Sequence, residues 1–235
     1  MPSAPATPPE PPPRGLLIAS AAWVLLSLLV AYGLRPPVLP LATSYAPAAR
    51  IALVVMLAGA LIAWPLLRLS QRTPARPVHR TLLDVVVLAG ALQVTLWPLR
   101  LAAAWPIERT VAADVWFLGW LLAAASAVML GGVLRSHAAR TLLMGVLLIV
   151  AAGPILLAPW LADAPGGEAF TGTPLAWLSP FGGLARLAAP GRLDLLPDER
   201  TAAYAAAVAG LGLSVAAALL AAAIRSRRSA SSMAP

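Results

Sequence analysis

Six long apolar runs, separated by connectors that carry arginine, constrain this chain before any motif does: residues 15–34, 51–67, 81–99, 111–134, 141–162 and 202–224. Each comes close to the roughly 20 residues a helix needs to cross about 30 Å of hydrocarbon. Backbone polar groups in lipid have no water to bond, so runs of this length are expected as helix. The expected fold is all-α: a polytopic membrane protein built as a six-helix bundle, with a short outer interfacial helix between the fifth and sixth spans.

Composition agrees and excludes much else. Of 235 residues, 60% are apolar and only 11% charged. The longest connector, residues 163–201, lies near the lower size limit for a domain folding without staples. The chain has no cysteine and two histidines, so neither disulfides nor a zinc centre is expected there. All 17 basic residues are arginine. Without lysine there is no phosphate-binding P-loop and no Schiff base, and without cysteine no thiolate nucleophile. No catalytic constellation, cofactor or metal is expected, and the chain is not read as an enzyme. Any ATP-driven work requires a nucleotide site on another protein.

A net charge of +8 suggests nucleic acid only when the charge forms a binding face. Here arginines sit at span ends, where they set orientation and meet anionic lipid, so the lipid bilayer rather than nucleic acid is the expected partner. One side of the bundle collects Arg14, Arg68, Arg72, Arg76, Arg80, Arg135, Arg140, Arg225, Arg227 and Arg228. The other collects Arg35, Arg50, Arg100, Arg109, Arg186, Arg192 and Arg200. The richer side is expected to be cytoplasmic, with both termini there, in the plasma (bacterial inner) membrane. Residues 1–14 read as a disordered proline-rich tail and residues 225–235 as a basic tail. The first span is longer than a signal-peptide core and is expected to remain as an uncleaved helix. Trp97, Trp105, Trp116, Trp120, Trp160 and Trp177 gather toward the outer side, the usual position of an aromatic belt.

Inside the spans, Ala206, Gly210, Ser214, Ala218 and Ala222 recur every four residues in a strip of small side chains. Such a strip admits close helix approach, either within the bundle or at a homodimer seam. Gly59 and Ala63 hint at the same device. Polar residues are few: Asp84, Gln93 and Asp114. Both aspartates are expected near an interface in structural roles, with Asp84 in reach of Arg80 four positions back. Pro154, after Gly153, is the best candidate for a bend in the fifth span, which is expected to be broken or tilted near its outer third.

Two connectors draw attention. Residues 68–80 hold Arg68, Arg72, Arg76 and Arg80 among prolines, a stiff basic segment suited to lipid headgroups or an acidic partner. In the outer connector, Ser179 and Pro180 form a helix start, with Phe181, Leu184 and Leu187 on one face and Arg186 opposite. Asp198 and Glu199 then suit the positive end of the last helix.

The segment from Trp177 through Ser179, Pro180 and Phe181 to Arg186 resembles the element before the last span of ABC-2-type permeases, the membrane subunits of ABC transporters. The 68–80 connector is more distantly similar to the cytoplasmic loop of that family which meets the ATPase. The chain departs from the family in its proline-rich start and in lacking an acidic, glycine-containing opening to the second loop. The resemblance implies a subunit that works with a separate P-loop ATPase, as a homodimer or with a sister permease, to move a lipid-like or amphiphilic substrate. It implies a coupling loop at Arg68, Arg72, Arg76 and Arg80, and an outer gate helix at Trp177, Ser179, Pro180, Phe181 and Arg186. The alternative is a non-catalytic membrane scaffold that helps assemble a larger complex.

Overall fold

The computed structural model describes residues 14–39, 41–71, 74, 76–134, 136–162, 177, 179–189 and 194–231. The proline-rich tail, Arg72 and most of the 163–178 stretch lie outside these residues, as do the side chains of Arg225, Arg227 and Arg228. Among the described residues every regular element is helical. The helices are α1 (Arg14–Leu34), α2 (Ala42–Ala58), α3 (Trp64–Ser70), α4 (Pro77–Ala103), α5 (Ile107–Leu134), α6 (His137–Ala162), α7 (Pro180–Leu187) and α8 (Pro197–Ser231). Among the described residues five stretches are long and apolar enough to cross a membrane: Arg14–Leu34, Ser44–Ser70, Pro77–Ala103, Ile107–Leu134 and Pro197–Ile224. The expected 141–162 span falls in α6, whose described side chains form an apolar stretch over His137–Gly153. Its backbone continues as helix through Gly153 and Pro154 to Ala162, so the helix is not interrupted there.

The second expected span starts early, at Ala42, and is one rod made of two α-helices and a π-helical turn, Gly59–Ala63. Pro65 causes the irregularity. It has no N–H to donate, and just ahead of it the helix widens so that the Trp64 N–H bonds the Gly59 carbonyl. The Trp23 indole of α1 fills the space beside that turn. Its Nε1 donates to the Val55 carbonyl at 2.9 Å, and a Cβ on Gly59 would meet the indole ring. Gly59 therefore admits a side chain rather than the second helix backbone expected from the small-residue pattern.

The hub is α5. It packs against α3, α4, α6, α7 and α8, and buries Ala112, Trp116, Phe117, Leu121, Ala125 and Met129 on several sides. Its most extensive partner is α8. The two run parallel, because Arg109 meets Glu199, Gly119 meets Ala206 and Ser126 meets Ser214 in rising order. A Cβ on Gly119 would strike the Ala206 backbone, and one on Gly210 would strike the Gly119 carbonyl. With no side chain at either position the two backbones touch, the arrangement that holds helices together in lipid.

The strip read from the sequence thus meets α5 through Ala206, Gly210 and Ser214 and turns away from it beyond them. Ala203, Gly210, Ser214, Ala217 and Ala221 are buried, whereas Ala218 is half-buried and Ala222 exposed. A spacing of four advances about 40° beyond a full turn at each step, so a strict four-residue series leaves the contact face within a few turns. Alternating threes and fours keep it there.

At the end of α4 the chain turns with Ala104 at φ 50°, and the Trp105 N–H returns to the Arg100 carbonyl at 3.1 Å. Glycine normally takes this left-handed position. Ala104→Gly is expected to raise stability by about 1 kcal/mol through relief of Cβ strain, measured as a higher midpoint of thermal unfolding. A lower midpoint would contradict it.

Candidate functional site

Two ends of the bundle carry polar chemistry. The proximal end is where α3 turns into α4 and α5 into α6; the distal end holds the start of α5, α7 and the start of α8.

At the proximal end Asp84 of α4 is fully buried. This differs from the water-accessible position near Arg80 expected from the sequence. Its carboxylate is gripped from α3. The Arg68 Nη2 donates to Oδ1 at 2.6 Å, Arg68 Nε donates to Oδ2, and the Trp64 indole donates to Oδ2 at 3.2 Å. The fork of a guanidinium fits a carboxylate in this two-point manner. Arg68 also donates to the Gln71 side chain at 3.0 Å, while Arg140 of α6 donates to the Gln71 carbonyl at 3.1 Å and the Gly131 carbonyl at 3.2 Å. Four helices are thereby tied together around a cavity of about 180 Å³ whose lining includes Arg68, Arg80, Arg140, Thr81 and Asp84.

Of the four connector arginines, Arg68 and Arg80 come together in this cavity, and Arg76 stands exposed at the cap of α4. Arg72 lies outside the described residues. Sequence reasoning missed Gln71 and Arg140 as partners. The usable signal was Asp84 itself, since a carboxylate inside an apolar run requires a cation from somewhere.

At the distal end Ser179 caps α7 as expected: its Oγ accepts from the Gly182 N–H at 3.2 Å, and Pro180 is the first helical residue. Phe181, Leu184 and Leu187 are buried, and Arg186 lies over the Trp177 ring at 5.5 Å. The helix is seated on α5, where Trp116 Nε1 donates to the Pro180 carbonyl at 2.9 Å. Gly183 lies against the Trp116 ring, where a Cβ would not fit. Trp116, assigned to a headgroup belt from sequence, is instead a buried anchor, and its ring meets Trp177 and Trp120 edge-on. Losing the cap in Ser179→Ala is expected to cost about 1 kcal/mol, seen as increased proteolysis within 177–189. Unchanged cleavage would contradict that role.

Beyond α7, Arg109 is buried and donates to the Ala189 carbonyl at 2.9 Å and to Glu199 at 3.3 Å. Glu199 also accepts from the Leu196 N–H at 3.1 Å, half of a capping box at the start of α8. Sequence reasoning assigned Glu199 to the helix dipole but did not find its partner 90 residues away.

Between the ends, Trp97 donates to Gln93 and Gln93 to Asp114, both at 2.7 Å, a polar chain across α4 and α5. Two largely apolar hollows flank α5. One of about 110 Å³ adjoins Trp23 and the π turn, and one of about 280 Å³ is lined by Leu61, Trp120, Leu147, Pro180 and Leu213. Among the described residues no three acidic, histidine or cysteine side chains gather as a metal site would require.

No protein family, curated protein or solved structure matches this chain. The fold defines a class: an all-helical bundle whose long apolar helices are compatible with a multi-pass membrane protein.

Proposed function

We propose that this chain is the membrane subunit of a transporter similar to the ABC-2 type, working with a separate P-loop ATPase to move a lipid-like or amphiphilic substrate. The observation that carries the reading is α7. A short helix, capped at Ser179, turns back onto the bundle directly before the last long helix and buries Phe181, Leu184 and Leu187 against its neighbours. That is the element on which the family resemblance rests. The apolar hollow of about 280 Å³ that reaches Pro180 suits an acyl chain, which supports an amphiphilic cargo.

In this reading the proximal end is cytoplasmic and the 68–80 connector meets the ATPase. Arg68 couples the two: it belongs to the start of that connector, yet its guanidinium is fixed to Asp84 inside α4. A push on the connector therefore moves α3 and α4 together. At the other face, α7 and its Trp116 and Trp177 contacts form the outer gate.

The second reading is a static membrane scaffold, favoured by the interhelical pairing of Asp84, Asp114 and Arg109 within the bundle. Affinity purification in mild detergent separates the two. The transporter reading expects a P-loop ATPase to co-purify in stoichiometric amount. A stable complex without any nucleotidase would favour the scaffold and sink the first proposal.

A further inference from the structure

Where α5 and α8 begin, at the distal end, a hollow of about 330 Å³ lies between their first turns, with Glu108, Arg200 and Tyr204 beside Val111, Val115 and Leu195. We infer that it seats the headgroup of a phospholipid bearing a primary amine, such as phosphatidylethanolamine, with an acyl chain laid along α8. Such a site requires neither an ATPase nor transport.

The charged groups have capacity to spare. Glu108 and Arg200 meet through a single contact, Nη2 to Oε2 at 3.4 Å, and their side chains are 63% and 55% exposed. An exposed pair of this kind contributes little and opens at little cost. Among the described residues, Arg200 Nε and Nη1, the second Glu108 oxygen and the Tyr204 hydroxyl have no hydrogen-bond partner. Arg200 and Tyr204 stand four residues apart on one face of α8, so guanidinium and hydroxyl can serve the same phosphate.

One cation beside one anion selects a ligand with the opposite pair. A headgroup that is only anionic meets Arg200 favourably but is repelled by Glu108. Choline carries a positive charge, yet its nitrogen has no N–H to donate to the carboxylate. A primary ammonium joined to a phosphate by a two-carbon link gives charge-assisted hydrogen bonds at both ends.

The neighbouring surface suits a lipid better than a soluble zwitterion. Tyr204, Val208, Leu211 and Val215 are exposed and recur at helical spacing, an apolar stripe that starts at the hollow. From Tyr204 to Val215 the helix rises about 16 Å. That is close to half of the roughly 30 Å of a hydrocarbon core, the depth of one leaflet. Tyr204 then falls where a tyrosine at a membrane surface normally sits, level with the headgroups.

The test uses the purified full chain in detergent, stripped of lipid. It is offered phosphatidylethanolamine, phosphatidylcholine and phosphatidylglycerol with the same acyl chains, and retention is read by native mass spectrometry. Phosphatidylethanolamine is expected to be retained over both others. Arg200→Gln is expected to lower its retention about fivefold, the effect of one basic contact near a membrane surface. Glu108→Gln is expected to abolish the preference over phosphatidylcholine. Arg76→Gln, exposed at the other end of the bundle, is expected to change neither. Should either distal variant unfold, Tyr204→Phe, which loses only a hydroxyl, is expected to show a smaller drop in retention. Equal retention of the three lipids by the unaltered chain overturns the inference, as does a preference for phosphatidylglycerol. So does a phosphatidylethanolamine preference that survives Glu108→Gln, or displacement of the lipid by free phosphoethanolamine at equal concentration, which would make the ligand a soluble zwitterion.

Discussion

Arg68→Ala is expected to destabilise the bundle by about 3–5 kcal/mol, the usual cost of leaving one member of a buried ion pair without its counter-charge. Asp84 is the deeper partner, with a side chain only 1% exposed against 18% for Arg68. Removing the arginine strands a carboxylate that, among the described residues, keeps the Trp64 indole as its one side-chain donor. Removing the carboxylate is milder, because the longer arginine stem can carry its charge outward to water. Asp84→Ala is therefore expected to cost less than Arg68→Ala. The double variant is expected to be more stable than Arg68→Ala alone, since it leaves no stranded charge. Thermal unfolding of the four proteins in one detergent measures this. If the two single losses simply add in the double variant, the pair is not the clasp described.

Contact between α5 and α8 gives the second large effect. Gly119→Ala and Gly210→Ala are each expected to cost about 1–3 kcal/mol, and leucine at either position more, because backbone atoms cannot move aside as a flexible side chain can. Gly212 provides the internal control. It lies two residues beyond Gly210 on the same helix, with nothing within 4 Å of an added Cβ. Gly212→Ala is expected to be neutral or to stabilise by up to about 1 kcal/mol through helix propensity. Unfolding midpoints that fall equally for Gly210→Ala and Gly212→Ala would show that backbone approach does not hold these helices together.

The residues explain what was legible beforehand. Length and apolarity alone located the long helices, because their backbones have no other way to satisfy their hydrogen bonds. Ser179 and Pro180 marked the start of α7 because a cap and a first-turn proline act within a few residues of chain. Interactions distant in sequence were not legible. Asp84 offered Arg80 as a partner on its own helix, whereas the actual donor, Arg68, belongs to α3 and is brought there by the link between α3 and α4. Arg109 and Glu199 are 90 positions apart and meet only because α5 and α8 run parallel. Trp116 looked like a belt residue because an indole at a span end is equally suited to a headgroup or a buried carbonyl. Only the seating of α7 supplies the carbonyl, that of Pro180. The π turn had a cause in the sequence, Pro65, but whether a helix widens, kinks or stops at proline depends on what packs beside it. Here Trp23 does.

In the transporter reading the connector is a handle on the proximal end. Arg68 anchors the handle in α4, Arg140 fastens it to α6, and Arg76 stands exposed at the start of α4. In that reading, force applied at Arg76 would reach α4 and, through Arg68 and Arg140, its neighbours α3 and α6. A chain without lysine has no P-loop with which to generate that force.

The claim that a separate ATPase meets this connector is tested most directly by placing a photo-crosslinking phenylalanine at Arg76 and illuminating intact membranes. The transporter account predicts a light-dependent adduct whose second component is a P-loop ATPase, absent when the same residue is placed at Arg200 on the distal end. Adducts at Arg76 that contain only lipid, this chain or a protein without a nucleotide site would contradict it.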